Sequence, residues 1–216
     1  MGKPSATMRD MPEPTIGGTA WARFGRVMPW AAWSLILAPV SIVLHELAHM
    51  LIARAVGFSS PTLHFGSVDP GPSDGVTLAA SGWVALAGPA ASVALALAGC
   101  VGLRSSASAP WAAALAVSAA SRFAVGVPYT VVNLVVRSLG RRLTPPAFDE
   151  YKAGMALGWS GDVLLAGTSL VLVLVLWWVG CQLRRGERMV AWSGLLIGTT
   201  TGWAVWMLAL GPRLLP

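Results

Sequence analysis

Residues 30–58 read WAAWSLILAPVSIVLHELAHMLIARAVGF. No Lys or Arg occurs in this stretch before Arg54. The 24 residues from Trp30 to Ala53 would extend roughly 36 Å as a helix, enough to cross the hydrocarbon core of a bilayer. Inside the same run lie two histidines and a glutamate, at 45, 49 and 46. Ionisable groups cost several kcal/mol at membrane depth, so their presence there calls for a function.

The rest of the chain agrees with a membrane solvent. Of 216 residues, 55% are apolar and 11% charged, with a mean hydropathy of +0.66. A soluble domain carries about 25% charged residues, so this chain lacks the polar side chains to coat a globule in water. Eleven Trp against five Phe and two Tyr suit a protein that meets lipid headgroups. The net charge of +6 is scattered over short connections rather than gathered in a stripe. That excludes nucleic acid as the expected partner and favours anionic lipid. Cys100 and Cys181 both fall in apolar segments without ligand spacing, and read as small buried hydrophobes.

Four further apolar stretches follow, at about Leu78–Leu103, Ala109–Val136, Val163–Leu183 and Met189–Leu210. Lipid offers no partner to free backbone groups, so the five spans must be helical. The expected fold is an all-α, polytopic membrane helix bundle of about five transmembrane helices. Residues 59–77, rich in Gly, Pro, Ser and Asp, read as a loop or hairpin between the first two. Residues 1–27 carry prolines, a Gly pair and mixed charges. They read as a polar, flexible tail without the apolar core of a signal peptide, leaving 28–216 as a single membrane-embedded domain. With five spans, the amino-terminal side holds Lys3, Arg9, Arg23, Arg26, Arg104, Arg184, Arg185 and Arg188. The opposite side holds Arg54, Arg137, Arg141, Arg142, Lys152 and Arg213. Eight against six leans toward a cytoplasmic amino terminus.

His45-Glu46-Leu47-Ala48-His49 supplies the chemistry. Histidines at i and i+4 project from one helix face a turn apart, so both imidazoles can reach one metal ion. Glu46 can then lie beside a metal-activated water and take its proton, the arrangement of HExxH zinc hydrolases. Packing of a polar helix cluster is the plain alternative. The chain has three histidines in all, and two stand here. A hydrolytic zinc site needs a third protein ligand and one open position. His45 and His49 lie in the second half of the first span, and two more crossings return the chain to that side just before Asp149. Asp149 is therefore the favoured third ligand, with Asp162 and Glu150 as alternatives. A solvated charge or a helix cap is the ordinary role of each.

A membrane helix with HELAH, followed two crossings later by an acidic residue, resembles the site-2 protease family of intramembrane zinc metalloproteases. ALAGPAAS, with Gly88 and Pro89, is similar to that family's Ala-Gly-Pro segment. Where the family usually has Asn three residues after that Pro, this chain has Ser92. Its third ligand is an Asp in an Asn-Pro-Asp-Gly or Leu-Asp-Gly setting, of which Phe148-Asp149-Glu150 matches only the Asp. Asn133 resembles the family's upstream Asn but lies farther from the Asp. The resemblance covers residues 30–160 and lacks an inserted PDZ-type domain, as in a minimal member. It implies one zinc per chain on His45, His49 and Asp149, Glu46 as general base, and cleavage of a membrane-embedded protein or peptide. A non-catalytic pseudoprotease, scaffold or metal carrier that keeps the fold is the other reading.

Smaller features carry expectations of their own. The 59–77 loop is a candidate to line the cavity or pair with an extended substrate by strand addition. His64, within it, reads as interfacial rather than as a further metal contact. Arg122, midway through the third span, either pairs with an acidic group in the cavity, marks a water-filled opening, or is a structural, snorkelling Arg. Pro39 and Pro128 are expected to kink their helices.

Overall fold

A computed structural model describes residues 16–72, 75–106, 109–141, 143 and 147–215. The chain is an all-α bundle in which five helices are long and apolar enough to cross a membrane, at Phe24–Ala55, Leu78–Ser105, Pro110–Ser138, Gly161–Gln182 and Arg188–Leu214. They follow the five apolar stretches closely, because the length of an uncharged run fixes where a span can lie. Large apolar side chains such as Ile36, Leu174, Trp177 and Ile197 face outward, as lipid contact requires and water would not favour. The protein is a multi-pass membrane protein.

Helix α1 (Ile16–Ala55) reaches back beyond the first span into the segment read as a tail. Residues 16–27 are therefore helical, since a helix nucleated in the span extends cheaply once started. The remainder of that expected tail, residues 1–15, lies outside the described residues. A two-stranded antiparallel hairpin, β1 (Thr62–His64) and β2 (Ser67–Asp69), follows. It turns through Phe65 and Gly66. Helix α2 (Leu78–Ser105) is capped by Thr77, whose hydroxyl accepts the Ala80 N–H.

The third span is not one helix. It divides into α3 (Pro110–Ala120) and α4 (Phe123–Ser138), joined by a turn at Ser121 and Arg122. Pro128 lies inside α4, so the interruption precedes the proline expected to bend this span. The turn tightens locally, with Ser121 N–H bonded to Ser118 O at 3.2 Å, and it sends the Arg122 side chain inward rather than along the helix surface.

A short helix, α5 (Asp149–Leu157), then ends at Gly158 in the left-handed conformation, which a glycine adopts without strain. That turn folds α5 back on α6 (Gly161–Gln182), where Gly161 lies directly against Tyr151. Helix α7 (Arg188–Val205) continues through a π-helical turn at Trp206–Leu210 into α8 (Gly211–Leu214). The carboxyl-terminal end holds the hairpin: Trp206 Nε1–H donates to Phe65 O at 2.7 Å, and Phe65 N–H to Leu215 O at 3.1 Å.

Helices α1 and α7 pack along a stripe of glycines on α7. Gly194 meets Trp30, Gly198 meets Ala31 and Ser34, and Gly202 meets Ala38 and the Leu35 carbonyl. That carbonyl loses its helical N–H partner to Pro39. Small residues four apart let helix backbones approach closely in lipid, where no hydrophobic force drives association. A Cβ at 198 would collide with the Ala31 carbonyl. Gly198→Leu should therefore cost about 1–3 kcal/mol, read as a lower unfolding midpoint in detergent. Gly167→Leu on α6, with open space around it, should leave the midpoint unchanged.

Candidate metal centre

Three residues of α2 spaced four apart hold the two histidines of α1. Gly88 faces both rings: a Cβ there would run into Nε2 of His45 and of His49. One turn earlier, the Val84 carbonyl accepts from His49 Nδ1 at 2.6 Å. One turn later, Ser92 Oγ lies 2.9 Å from His45 Nδ1. A carbonyl only accepts, so His49 Nδ1 carries the proton and its Nε2 presents a lone pair. The Ser92 hydroxyl, which can donate or accept, admits the same tautomer at His45. Both rings are almost fully buried, at 6% and 7% exposure, and stand edge to face. Their Nε2 atoms are 3.2 Å apart. Fixing Nδ1 by a hydrogen bond so that Nε2 is free is how proteins orient a metal-ligating imidazole.

Asp149 completes the group from the first residue of α5. Its Oδ2 lies 3.4 Å from His45 Nε2 and 3.5 Å from His49 Nε2. Ligand atoms bonded at about 2.0–2.1 Å to one tetrahedral ion stand roughly 3.3–3.4 Å apart. The three observed separations bracket that value, so the donor set fits one small divalent cation. Among the described residues, His45, His49 and Asp149 form the group able to hold a metal ion. Asp149 Oδ2 accepts from Arg122 Nη2 at 3.1 Å, so the carboxylate is charged beside that guanidinium and stands in the site as an acceptor.

Glu46 lines the same cavity, which measures about 1250 Å³. Ser41, Ser121, Thr168, Ser169 and Thr199 also line it, together with Gly66, Ser67 and Val68 of the hairpin and many apolar side chains. A space of that size with charged and polar groups at the three ligands can hold water beside them.

The alternative acidic residues are not part of the ligand group. Asp162 is bonded by Tyr151 and paired with Arg137, and Asn133 Nδ2 donates to it at 2.7 Å. This polar cluster fastens α4 and α5 to the start of α6. Asn133 is thus drawn away from the histidines. Glu150 is buried beside Thr168, whose hydroxyl donates to it at 3.3 Å. His64 sits at the end of β1, opposite Ser67, and is not part of the metal-capable group.

Arg122 enters the site itself. Its Nη1 is 2.8 Å from His45 Nε2, and its Nη2 is 3.1 Å from Asp149 Oδ2 and 3.6 Å from Glu150 Oε2. Of the readings open from sequence, pairing with acidic groups in the cavity is the one observed. The holding roles of Val84 and Ser92 went unread, although their spacing around Gly88 was the available signal. Comparison of the chain with family models, with curated proteins and with solved structures finds no match.

Proposed function

We propose that this protein is a zinc-dependent endopeptidase acting on membrane-embedded protein or peptide substrates. What carries the reading is one juxtaposition: three ligand atoms 3.2–3.5 Å apart in a cavity inside a membrane bundle, with a carboxylate, Glu46, lining the same space. His45, His49 and Asp149 would hold the ion. Bound zinc supplies a Lewis acid and a water acidified to a pKa of about 7. Glu46 accepts the proton that the attacking water loses and later delivers it to the departing amide nitrogen. The cavity offers room for the water that the reaction consumes. Strand β2 of the hairpin, whose Ser67 and Val68 line that cavity, is the element suited to offer main-chain groups to an unwound substrate strand. Eight basic residues on the amino-terminal side against six on the other support a cytoplasmic amino terminus.

The test is metal removal. Protein purified in detergent should contain one zinc per chain and cleave a quenched fluorescent peptide of transmembrane composition. Chelation with phenanthroline should bring cleavage to background, and stoichiometric zinc should restore it. One observation favours a second, non-catalytic reading: Arg122 already bridges His45 and Asp149, as a purely structural ion pair would. Protein that takes up no zinc and cleaves nothing would establish that reading instead.

A further inference from the structure

We infer that Arg122 is a catalytic residue, the cation that stabilises the oxyanion formed on the substrate carbonyl; this rests on the endopeptidase reading above. An arginine in a membrane span is costly unless something uses its charge. Here the chain breaks the third span at Ser121 and Arg122, and the guanidinium reaches both a histidine and the carboxylate of the metal-capable group. Of the two cations that line the cavity among the described residues, Lys152 is the more exposed, at 58% against 31% for the Arg122 side chain. Arg122 is therefore the charge that feels the lower dielectric, where a fixed cation acts most strongly.

Glu150 positions it. That carboxylate is 5% exposed and fixed on its other oxygen by Thr168. Its Oε2, buried without a hydrogen-bond partner, stands 3.6 Å from Arg122 Nη2, so its charge attracts the guanidinium that Asp149 accepts from at 3.1 Å. Arg122 Nη1 lies 2.8 Å from Nε2 and 3.0 Å from Nδ1 of His45, nearly equidistant from the two, so it does not lie along the in-plane Nε2 lone pair; a metal can take that lone pair while the guanidinium stays beside the site.

The chemistry balances as follows. Water oxygen bonds to the peptide carbonyl carbon, its proton passes to Glu46, and the π electron pair moves onto the carbonyl oxygen, where Arg122 meets the new negative charge. Collapse returns that pair, breaks the C–N bond, and sends the bonding pair with the Glu46 proton to nitrogen. A carboxylic acid and an amine result, and the acid then gives its proton to the amine, leaving a carboxylate and an ammonium.

The experiment compares wild type with Arg122→Ala in detergent, reading zinc content, steady-state cleavage of the fluorescent peptide, and inhibition by a peptide phosphinate and by a simple hydroxamate. The phosphinate imitates the tetrahedral oxyanion, whereas the hydroxamate needs the metal alone. Arg122→Ala should keep its zinc and its KM while kcat falls roughly 10²–10³-fold, the usual cost of one oxyanion donor. Phosphinate inhibition should weaken by the same factor as kcat/KM, and hydroxamate inhibition should not change. Arg122→Lys should recover part of kcat, as a retained charge would. If Arg122→Ala loses zinc, Arg122→Gln replaces it with the same expectations. Unchanged kcat in a zinc-loaded variant overturns the inference, as does loss of zinc from both neutral variants, which would make Arg122 structural. A wild-type chain without zinc or cleavage fails at the earlier step, and the endopeptidase reading falls with it.

Discussion

Glu46→Gln should abolish cleavage and leave the metal in place. The substitution keeps the shape and the hydrogen-bonding reach of the side chain and removes its ability to take a proton. Glu46 is not one of the three grouped ligand atoms, so zinc per chain should match wild type. General-base catalysis by a positioned carboxylate contributes about 10²–10⁴-fold, and here the same group also returns the proton, so activity should fall to the detection limit. The contrast is His49→Ala, which should lose both zinc and cleavage. Atomic absorption on the purified variants, beside cleavage of the fluorescent peptide, separates the two. Cleavage by zinc-loaded Glu46→Gln at a rate near wild type would remove Glu46 from the mechanism and leave the metal-capable group unexplained by hydrolysis.

What was legible in the sequence follows from how each feature is encoded. The spans are written in the length of uncharged apolar runs, which lipid enforces residue by residue, so five stretches became five helical spans, the third of them broken. The hairpin between Ala55 and Leu78 was announced by its turn residues. Asp149 could be placed near His45 and His49 by counting crossings, although Phe148 and Glu150 beside it gave no local sign. What stayed hidden depends on partners distant in the chain. The interruption at Ser121 and Arg122 has no Gly or Pro of its own to announce it. The Arg122 side chain there ends among His45, Asp149 and Glu150, partners that the local sequence does not name. The glycines at 194, 198 and 202 show a spacing of four, but nothing in the sequence names α1 as the helix they meet. The amino-terminal extension of α1 was missed for a local reason: Gly17, Gly18 and the nearby prolines suggest a coil, and helix propagation from the span outweighs them.

Gly88→Ala should remove the metal while leaving the bundle folded. The Ala-Gly-Pro segment stood out in the sequence without a physical reason, and the packing of α2 on α1 provides it. At position 88 there is no room for a methyl group, because both Nε2 atoms occupy the space that its Cβ would take. The strain can be relieved in two ways. Either the rings rotate, which breaks the bonds from His49 to the Val84 carbonyl and from His45 to Ser92, or α2 moves away from α1, which spreads the ligands. Both routes cost about 1–3 kcal/mol, as overpacking usually does, and both misdirect the Nε2 lone pairs. Loss of a single partner that orients a metal-ligating histidine lowers affinity about 10–100-fold. Gly88→Ala disturbs two histidines at once and should exceed the upper end of that range, whereas Ser92→Ala, which frees only His45 Nδ1, should fall within it. Competition with a fluorescent zinc chelator measures both affinities, and helical circular dichroism with a monodisperse elution profile shows that the fold persists. Wild-type zinc affinity in Gly88→Ala would mean that α2 does not fix the imidazoles, and the orientation of the site would then have to come from α5 and Arg122 alone.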